Sequence, residues 1–441
     1  ANGTYTEQVS ILPINGASST KRIRFTSASG NPALTTLTFT PVSAGSYTLQ
    51  FNGADYITFD RMTIANGYTA STVYTTWLAN GADFDSISNC IIANPTNNNA
   101  FGIYQNNTTD RNFTMFNDSI KGGGYGIFMQ SNTSVPSTNH AYVNNVIINQ
   151  TNNYAIYSYY QDSVLISGNT ITTNAPPSIY YGIYTQLNGK FPRITKNKIV
   201  GINASSTCYG MQHNNFANNG FSFGRGLIAN NFIQLGGTAS TNHGIMFQSG
   251  SNYTDIMHNT INMTTTVLSP NVSCFYYQTS LTGNTVQNNI FQASGNGITS
   301  CAVANIGTSG TSGCVFNNNN FFSRNATTFG YCGTSNGTSQ TSYNNFKTGG
   351  AAISSFESVG LNREVSFVST TDLHTTTPCI ANAGANVLSI VPDDIDNTAR
   401  TSTPDIGADE FTTNAFDASV IYVRSPANAV VTPGSPYTIV I

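Results

Sequence analysis

The densest group of basic side chains is the run "KFPRITKNK", which contains Lys190, Arg193, Lys196 and Lys198. Such residues could take part in acid–base catalysis if carboxylates lay beside them. The acidic residues in the middle of the chain are few, with no second pair one repeat away: Asp83, Asp85, Asp110, Asp118 and Asp162. A solvated basic turn is the simpler interpretation, and no catalytic residue is predicted.

A second concentration of charge surrounds Arg400 near the C-terminus. Its acidic members are Asp393, Asp394, Asp396, Asp405, Asp409 and Glu410. In one interpretation these carboxylates pair with Arg400 in a cap that closes the last repeat. In the other they hold a structural Ca²⁺ ion, because Ca²⁺ prefers oxygen ligands. The candidate ligands are Asp393, Asp394, Asp396 and Asp405, and no other cofactor is predicted.

The elements that must position these side chains are marked by a short phrase, "ISGNTITTN" at 166–174, which returns along the chain. When its copies are aligned on the central residue, the residues three before and two after are apolar in all ten copies. The central residues recur at intervals of 24 to 34 residues: Met62, Cys90, Asp118, Asn145, Asn169, Asn197, Asn231, Asn259, Asn289 and Asn319.

A second pattern, of the type "YGIY", falls between copies of the phrase. No helical spacing of apolar residues is visible, and neither leucine-rich repeats nor propeller blades match the period. Short strands joined by turns rich in Asn, Gly, Ser and Thr predict an all-β parallel solenoid with two strands per repeat. The apolar third residues of the second pattern are Ile103, Ile127, Ile156, Ile183, Met211, Ile245, Phe275 and Ala302.

A solenoid explains the phrase physically. Its two apolar residues point into the core, where each contributes about 1.5–3 kcal/mol by burial. The central Asn is expected to turn the chain and to bond the Asn of the next coil, about 4.8 Å away, for about 0.5–1.5 kcal/mol per bond. The predicted ladder consists of Asn145, Asn169, Asn197, Asn231, Asn259, Asn289 and Asn319.

The chain contains seven cysteines, so at least one is unpaired unless it pairs with another chain. Cys274 and Cys301 are predicted to share the same phase in consecutive coils. Their Cα atoms would then lie about 4.8 Å apart, within the range of a disulfide. A disulfide and a stack of buried thiols both remain open.

Composition narrows the classes of function. Only 8% of the 441 residues are charged, the net charge is −3, and 57 residues are Asn. With 16 Lys and Arg in total, nucleic acid and anionic membrane are not expected as main partners. No apolar stretch approaches the length of a membrane span. This composition and the many Asn-x-Ser/Thr triplets indicate an extracellular or cell-surface location.

Three stretches carry a resemblance to a known family. The stacked "GNTI" phrases resemble right-handed parallel β-helix proteins of the pectate-lyase-like class, which implies a right-handed rod. The ten copies together with the less regular ends predict roughly 12 coils. "GTYTEQVSI" at 3–11 and "NGADYITFDRMTI" at 52–64 resemble the first coils of secreted β-helix proteins of Bacteroidota. "DDIDNTARTSTPDIGADEF" at 393–411 is similar to the closing segment of bacterial surface β-helix proteins, where Asp-Ile-Gly-Ala-x-Glu precedes an anchor or further domains.

The composition changes after Phe411. Residues 1–411 are predicted to form the β-helix with its N-terminal cap and closing segment. Residues 412–441 are similar to a linker and the first strands of an incomplete Ig-like β-sandwich module. Because an unpaired terminal strand exposes an edge, further domains of the same polypeptide, or a partner, are expected to complete that sheet.

An outward column of aromatic residues is the best binding candidate. In "GIY" the Ile points inward, so the next residue points outward. The aromatic members of this column are Tyr104, Phe128, Tyr157, Tyr184 and Tyr276. Their rings could stack on sugars or on a protein partner. The alternative is stacking between coils that only stiffens the rod.

Three Asp-Ser-aliphatic triplets begin at Asp85, Asp118 and Asp162. They match the pattern that Bacteroidota glycosylate on the hydroxyl, so the resemblance implies O-glycans on Ser86, Ser119 and Ser163. It also implies secretion by the type IX route. The alternative is an ordinary turn in which Asp caps the local backbone.

These features favour a non-enzymatic segment of a large secreted cell-surface protein. Such an adhesin or stalk would offer many weak contacts to extracellular glycans or surface proteins. Two alternatives remain. One is a polysaccharide lyase or glycoside hydrolase of the pectate-lyase-like class that uses the groove beside Lys190–Lys198, and the other is a carbohydrate-binding module.

Overall fold

A computed structural model describes residues 1–132, 134–148, 150–151, 153–173, 177–217, 224–295, 301–324, 327–333, 338–353 and 356–413. These residues form a parallel β-solenoid of about 11 turns, so the predicted all-β solenoid is confirmed. Of the expected Ig-like module, residues 414–441 lie outside the described part of the chain. Within the ranges above, no helix has the length and apolar character needed to cross a bilayer.

Three sheets run along the rod, and neighbouring strands within each come from consecutive turns, except that the last two strands of sheet B pair antiparallel. Sheet A contains β1 (Gly3–Thr6), β4 (Thr35–Phe39), β7 (Thr63–Asn66), β10 (Ile91–Ala93), β13 (Ser119–Lys121), β17 (Val146–Ile148), β21 (Thr170–Thr172), β24 (Lys198–Ala204), β27 (Phe232–Gly237), β30 (Thr260–Met263), β33 (Ile290–Ala293) and β36 (Asn320–Ser323). Sheet B contains β2 (Val9–Ile11), β5 (Ser46–Asn52), β8 (Val73–Ala79), β11 (Ala100–Thr108), β14 (Tyr125–Ser131), β18 (Asn153–Tyr159), β22 (Ile179–Gln186), β25 (Thr207–Asn214), β28 (Thr241–Gln248), β31 (Val272–Tyr277), β34 (Ala302–Gly307), β37 (Gly330–Gly333) and β38 (Thr338–Gln340).

Sheet C completes each turn, and a small two-stranded sheet lies beside the rod. Sheet C contains β3 (Ile23–Thr26), β6 (Ile57–Asp60), β9 (Ser86–Ser88), β12 (Thr114–Phe116), β16 (Ala141–Val143), β20 (Leu165–Ser167), β23 (Arg193–Thr195), β26 (Gly226–Ala229), β29 (Thr254–Met257), β32 (Thr285–Gln287) and β35 (Val315–Asn317). The small sheet pairs β15 (Ser137–Thr138) with β19 (Gln161–Asp162). The helical elements of the described residues are α1 (Tyr343–Gly349) and two 3₁₀ turns, Pro32–Leu34 and Pro378–Ile380.

Each turn of the rod contains three strands rather than the two predicted per repeat. The phrase supplies two of them: its first apolar residue lies in sheet C and its second in sheet A, as with Ile166 and Ile171. Both apolar columns pair in register from turn to turn, for example Ile147 with Ile171 and Tyr142 with Ile166. These side chains are buried and fill the interior of the rod.

A left-handed residue splits the phrase into two strands. The residue before each central position has a positive φ in all ten copies: Arg61, Asn89, Asn117, Asn144, Gly168, Lys196, Asn230, His258, Asn288 and Asn318. Asn adopts this conformation more readily than most residues, which explains why it occupies six of these positions. The residue that turns the chain is therefore the one before the ladder position, not the ladder Asn itself.

The central asparagines form a continuous hydrogen-bonded ladder inside the rod. Asn197 is typical: its backbone N–H and its Nδ2 both donate to Oδ1 of Asn231, over 2.9 and 3.0 Å. Asn231 in turn donates from both groups to Oδ1 of Asn259, over 3.1 and 2.8 Å. The same pair of bonds links Asn145 to Asn169 and continues to Asn319. The ladder thus satisfies turn backbone that water cannot reach.

Carboxyl groups stand at both ends of this ladder. At the first end, the Asp118 N–H donates to Oδ1 of Asn145 and its Oδ1 accepts from the Cys90 N–H. At the other end, Glu357 accepts from both the N–H and Nδ2 of Asn319, over 3.2 and 2.6 Å. Burial raises the pKa of Asp118 and of Glu357 to about 8 in each case, against the opposing effect of these bonds.

The last turn of the solenoid is covered by α1 and the residues after it. Ser342 caps the helix by accepting from the Asn345 N–H over 3.2 Å. Phe346 is fully buried and packs on Phe321, with ring centroids 5.3 Å apart. Ile353 and Phe356 join the same core. This short helix, rather than the acidic segment around Arg400, closes the end of the described core.

Residues 356–413, here called the strap, fold back along the outside of the rod. They cross the turns that contain Asn319, Asn289, Asn259, Asn231 and Asn197. Apolar clusters attach the strap to the outer faces of sheets C and A, for example Val387 and Val391 on Met257. The prediction that the Arg400 region caps the last coil is therefore wrong in position, because long-range contacts place it alongside earlier coils.

The outer side chains of the asparagine turns bind the strap. Asn230 Nδ2 donates to the Asp393 carbonyl and Asn288 Nδ2 to the Ala385 carbonyl, both over 2.8 Å. His258 Nδ1 lies 3.1 Å from the Gly407 carbonyl oxygen. Nearer the first turns, Asn117 Nδ2 instead donates to Asn89 Oδ1 of the preceding coil, over 2.8 Å. The left-handed positions thus form a second, outward column that serves as a docking edge.

The structure does not contain the candidate disulfide between Cys274 and Cys301, both of which are free, buried thiols in contact. Strand pairing explains this. Ser273 lies opposite Ala302 and Phe275 opposite Ala304, so Cys301 is two residues out of register with Cys274. That offset separates their Cα atoms by about 8 Å rather than about 4.8 Å, beyond disulfide range.

We expect only one of the seven cysteines to react in the native protein. Six thiols are buried and Cys379 alone is exposed. Titration with a thiol-reactive chromophore, without reductant, should therefore give one equivalent under native conditions and seven in denaturant. Five equivalents in denaturant would reveal a disulfide and contradict the structure.

Candidate functional site

The outer face of sheet B carries two aromatic columns, here called the aromatic face. The first column is the predicted one, and Trp77 precedes it opposite Tyr104. Tyr104, Phe128, Tyr157 and Tyr184 follow in register on consecutive turns, whereas two further turns, with Gln212 and Met246, separate them from Tyr276. The second column consists of Tyr74, Phe101, Tyr125, Tyr154, Tyr181, Tyr209 and His243.

Sequence reasoning missed the second column because it assumed strict alternation along each strand. Alternation would turn Tyr125 inward, since Ile127 is inward, yet Tyr125 is half-buried and stacks on Phe101. Gly126 lies between them and is skipped in the strand register. A Cβ at Gly126 would lie 2.5 Å from the Ala155 carbonyl oxygen, so the backbone passes too close for an ordinary side chain. The recurring Gly before the inward Ile was the signal available in the sequence.

The rings stack face to face along the rod from Tyr104 to Tyr184 in the first column and from Phe101 to Tyr209 in the second. Phe128 and Tyr157 have centroids 4.5 Å apart at 5°, and Tyr157 and Tyr184 are 5.2 Å apart at 11°. From Phe101 to Tyr184 the two columns meet mostly edge to face, as in the 71° contact between Tyr154 and Tyr157, whereas Tyr74 stacks on Tyr104. Each such contact is worth about 0.5–1.5 kcal/mol beyond burial. Ring faces are thus covered by neighbours, and ring edges and phenol hydroxyls face outward.

The aromatic face is uncharged but hydroxyl-rich. Burial raises the pKa of Tyr154 and of Tyr157 above the usual tyrosine value, so both phenols stay neutral at physiological pH. The Tyr184 hydroxyl donates to Gln186 Oε1 over 2.6 Å, and Asn106 Nδ2 donates to the Tyr104 hydroxyl over 3.0 Å. Such a surface can exchange hydrogen bonds with neutral hydroxyl-rich partners without desolvating a charge.

The basic run is engaged in ion pairs, mostly with the strap. Lys196 Nζ lies 2.8 Å from Asp393 Oδ2, and Lys198 Nζ lies 3.6 Å from Asp396 Oδ1. Lys190 Nζ lies 3.6 Å from Asp162 Oδ2, while Arg193 is exposed on β23. Carboxylates therefore do lie beside the basic residues, as the enzymatic alternative requires, but those of Asp393 and Asp396 hold the strap in place.

The four candidate Ca²⁺ ligands do not converge on a common point. Asp394 accepts three backbone N–H groups, from residues 396, 398 and 410, and Asp405 accepts two, from 382 and 411. Asp393 pairs with Lys196, and Asp396 faces His374 and Lys198. Carboxylate pairing with Arg400 is observed, since Arg400 Nη1 lies 2.8 Å from Glu410 Oε2, although this segment does not close the last coil.

The three candidate glycosylation serines occupy half-buried positions. Ser86 lies in β9, where its hydroxyl is 2.8 Å from the Thr58 hydroxyl, and Ser119 lies in β13. Ser163 has a φ of 55° in the turn before β20. Their modification stays a prediction.

Comparisons with known proteins do not assign this chain to a family. A search with protein-family models gave no match, and a comparison with curated protein sequences gave none. The function must therefore be inferred from the residues and contacts described above.

Proposed function

We propose that this chain is a non-enzymatic segment of a large secreted cell-surface protein, an adhesin or stalk. Its solenoid acts as a stiff rod, and its aromatic face is the surface that contacts extracellular glycans or surface proteins. The observation that carries this proposal is the continuous set of stacked rings from Tyr104 to Tyr184. Tyrosine-rich surfaces supply large contact area and hydrogen bonds at low entropic cost, as binding interfaces require.

The stacking of the rings determines which parts of them a ligand can contact. Because ring faces are stacked on each other, a sugar cannot lie flat on an individual ring in the middle of a column. It would instead meet ring edges and phenol hydroxyls, and adjacent coils would repeat that contact about every 4.8 Å. Repetition lets weak contacts add along the rod, which suits a long polymer or a clustered ligand.

The ion pairs that Lys196 and Lys198 form disfavour catalysis at the basic run. A general base needs an accessible, unpaired proton acceptor near the substrate. Lys196 and Lys198 instead hold the strap through Asp393 and Asp396. Lyase or hydrolase activity would have to displace these contacts first.

We expect the double substitution Tyr157→Ala and Tyr184→Ala to weaken retention on immobilised glycans at least tenfold. It removes two adjacent rings and their hydroxyls from the centre of the aromatic face. The panel should contain neutral and acidic polysaccharides, with release of reducing ends and unsaturated uronides followed in the same samples. Ser167→Ala with Thr195→Ala is the matched control, because these outward residues lie in the same two turns on sheet C.

The possible results distinguish a binding surface on the aromatic face from an enzymatic function. Loss of retention in the tyrosine variant alone, with unchanged circular dichroism, supports the aromatic face as the contact surface. Equal retention by both variants would overturn that assignment. Turnover of any polysaccharide would overturn the non-enzymatic proposal and direct attention to the basic run.

A further inference from the structure

One group of metal-binding side chains lies on the strap, away from the aromatic face. His374, Asp396 and Asp409 each offer a donor atom, and these atoms all lie within 4.8 Å of one another. The His374 Nε2 atom is 2.5 Å from Asp396 Oδ2. In this structure the contact is a hydrogen bond, and a tetrahedral zinc ion, which separates its ligands by about 3.3 Å, would replace the proton and move these two atoms slightly apart.

The second nitrogen of His374 is held as a metal-bound imidazole requires. His374 Nδ1 contacts Asp372 Oδ1. A carboxylate on the far nitrogen fixes the tautomer and ring orientation of histidines that bind metals. Phe232 of sheet A also packs edge-on against the imidazole, with centroids 4.9 Å apart at 86°. Nε2 is thereby directed at Asp396.

Charge and access both suit a divalent cation. With a neutral imidazole, the three carboxylates Asp372, Asp396 and Asp409 and the nearby Lys198 sum to −3 + 1 = −2. The site is open to solvent, since the side chains of His374 and Asp396 are 27% and 49% exposed. The nitrogen donor favours zinc or a similar transition metal over Ca²⁺, which takes oxygen ligands.

We propose that His374, Asp396 and Asp409 bind one Zn²⁺ or a related divalent transition metal, with Asp372 orienting His374 and water filling the remaining position. The three ligands come from three separate stretches of the strap. The metal would therefore link these stretches to one another and fix them beside Lys198 and Phe232 of the rod. It is distinct from the aromatic face, and it shares only Asp396 with the four-aspartate Ca²⁺ site that the sequence suggested.

The test is calorimetric titration of tag-free protein, freed of metal with a chelator and dialysed, with Zn²⁺, Ca²⁺ and Mg²⁺ in turn. We expect one Zn²⁺ per chain, bound more tightly than Ca²⁺. Asp372→Asn leaves the ligands in place and should weaken zinc binding by about 10- to 100-fold, as changes to carboxylates behind metal-bound histidines do. His374→Ala should abolish stoichiometric binding.

Two control variants test whether other side chains account for the zinc affinity. Asp393→Asn removes a neighbouring carboxylate that pairs with Lys196, and Cys379→Ser removes the exposed thiol. Both should bind Zn²⁺ like the parent protein. The other histidines are buried in the rod: His140, His213, His243 and His258.

Zinc should also slow proteolysis of the strap in the parent protein but not in His374→Ala. The proposal is overturned by the absence of stoichiometric zinc binding. It is equally overturned by undiminished binding in His374→Ala, or by tighter binding of Ca²⁺.

Discussion

Replacing Asn231 with Ala should lower the free energy of unfolding by about 3–5 kcal/mol, since each buried polar group left without a partner costs about 1–3 kcal/mol. Asn231 Oδ1 accepts two hydrogen bonds from Asn197, and its Nδ2 donates to the Ile194 and Ala229 carbonyls and to Asn259. Alanine would remove all of these side-chain bonds at a fully buried position. Chemical denaturation followed by circular dichroism measures the effect.

Asn106→Ala is the matched control. Asn106 is exposed on β11 and donates one hydrogen bond, to the Tyr104 hydroxyl. Its replacement should change stability by no more than about 0.5 kcal/mol. If the two variants lost similar stability, the ladder would not be the stabilising feature described here.

Replacing Arg400 with Ala should release the strap from the rod, at a cost of about 3–5 kcal/mol for breaking a buried ion pair. The Arg400 side chain is fully buried and bonds Glu410, the Gly407 carbonyl and Asn230 Oδ1. The substitution would leave the Glu410 carboxylate, 9% exposed, without its cationic partner. We expect proteases to cut within residues 356–413 much faster, while the solenoid stays protected.

Arg193→Ala controls for loss of a positive charge, because Arg193 is exposed on β23. It should be cleaved at the parent rate. Equal cleavage of the Arg400 variant and the parent protein would show that other contacts hold the strap. The candidates are the apolar clusters of the strap and the bonds that Asn288 makes with Ala385.

The Asn231 prediction concerns the inner side of a turn, and the Arg400 prediction concerns the contacts on the outer side of the same turn. The ladder Asn points into the rod and joins coil to coil, whereas the residue before it points outward. In the later turns that outward residue holds the strap, as Asn230 does through Asp393 and Arg400. A solenoid has few side chains that act over many turns, so the strap adds contacts between coils that are distant along the rod.

The register of the rod could be predicted from the sequence alone. In a parallel solenoid, residues one repeat apart lie side by side on adjacent strands. Residues that align in the repeated sequence are therefore stacked in the structure. Ile147 and Ile171 pair as aligned, as do Tyr157 and Tyr184. The Cys274 and Cys301 alignment was wrong by two residues, because their repeats differ in length and the strand pairing follows side-chain packing instead.

The second aromatic column could have been predicted from the sequence, but it was not. Most of its members stand directly before the recurring Gly that precedes the inward residue, and that Gly breaks the two-residue alternation of the strand. The same local effect splits the phrase into two strands at a left-handed residue such as Asn230. Repetition shows that such positions matter, but the backbone conformation at each one decides which way its side chain points.

Composition, the repeated phrase and its spacing determined an all-β solenoid, its buried columns and its outward tyrosines. Only the tertiary structure decided the course of the strap and what its charged residues contact. Lys196 and Asp393 are 197 residues apart, and His258 and Gly407 are 149 apart. No repeat relates such positions, because they meet through the folding of a non-repetitive segment onto a finished rod. The cluster of His374, Asp396 and Asp409 is a product of that docking.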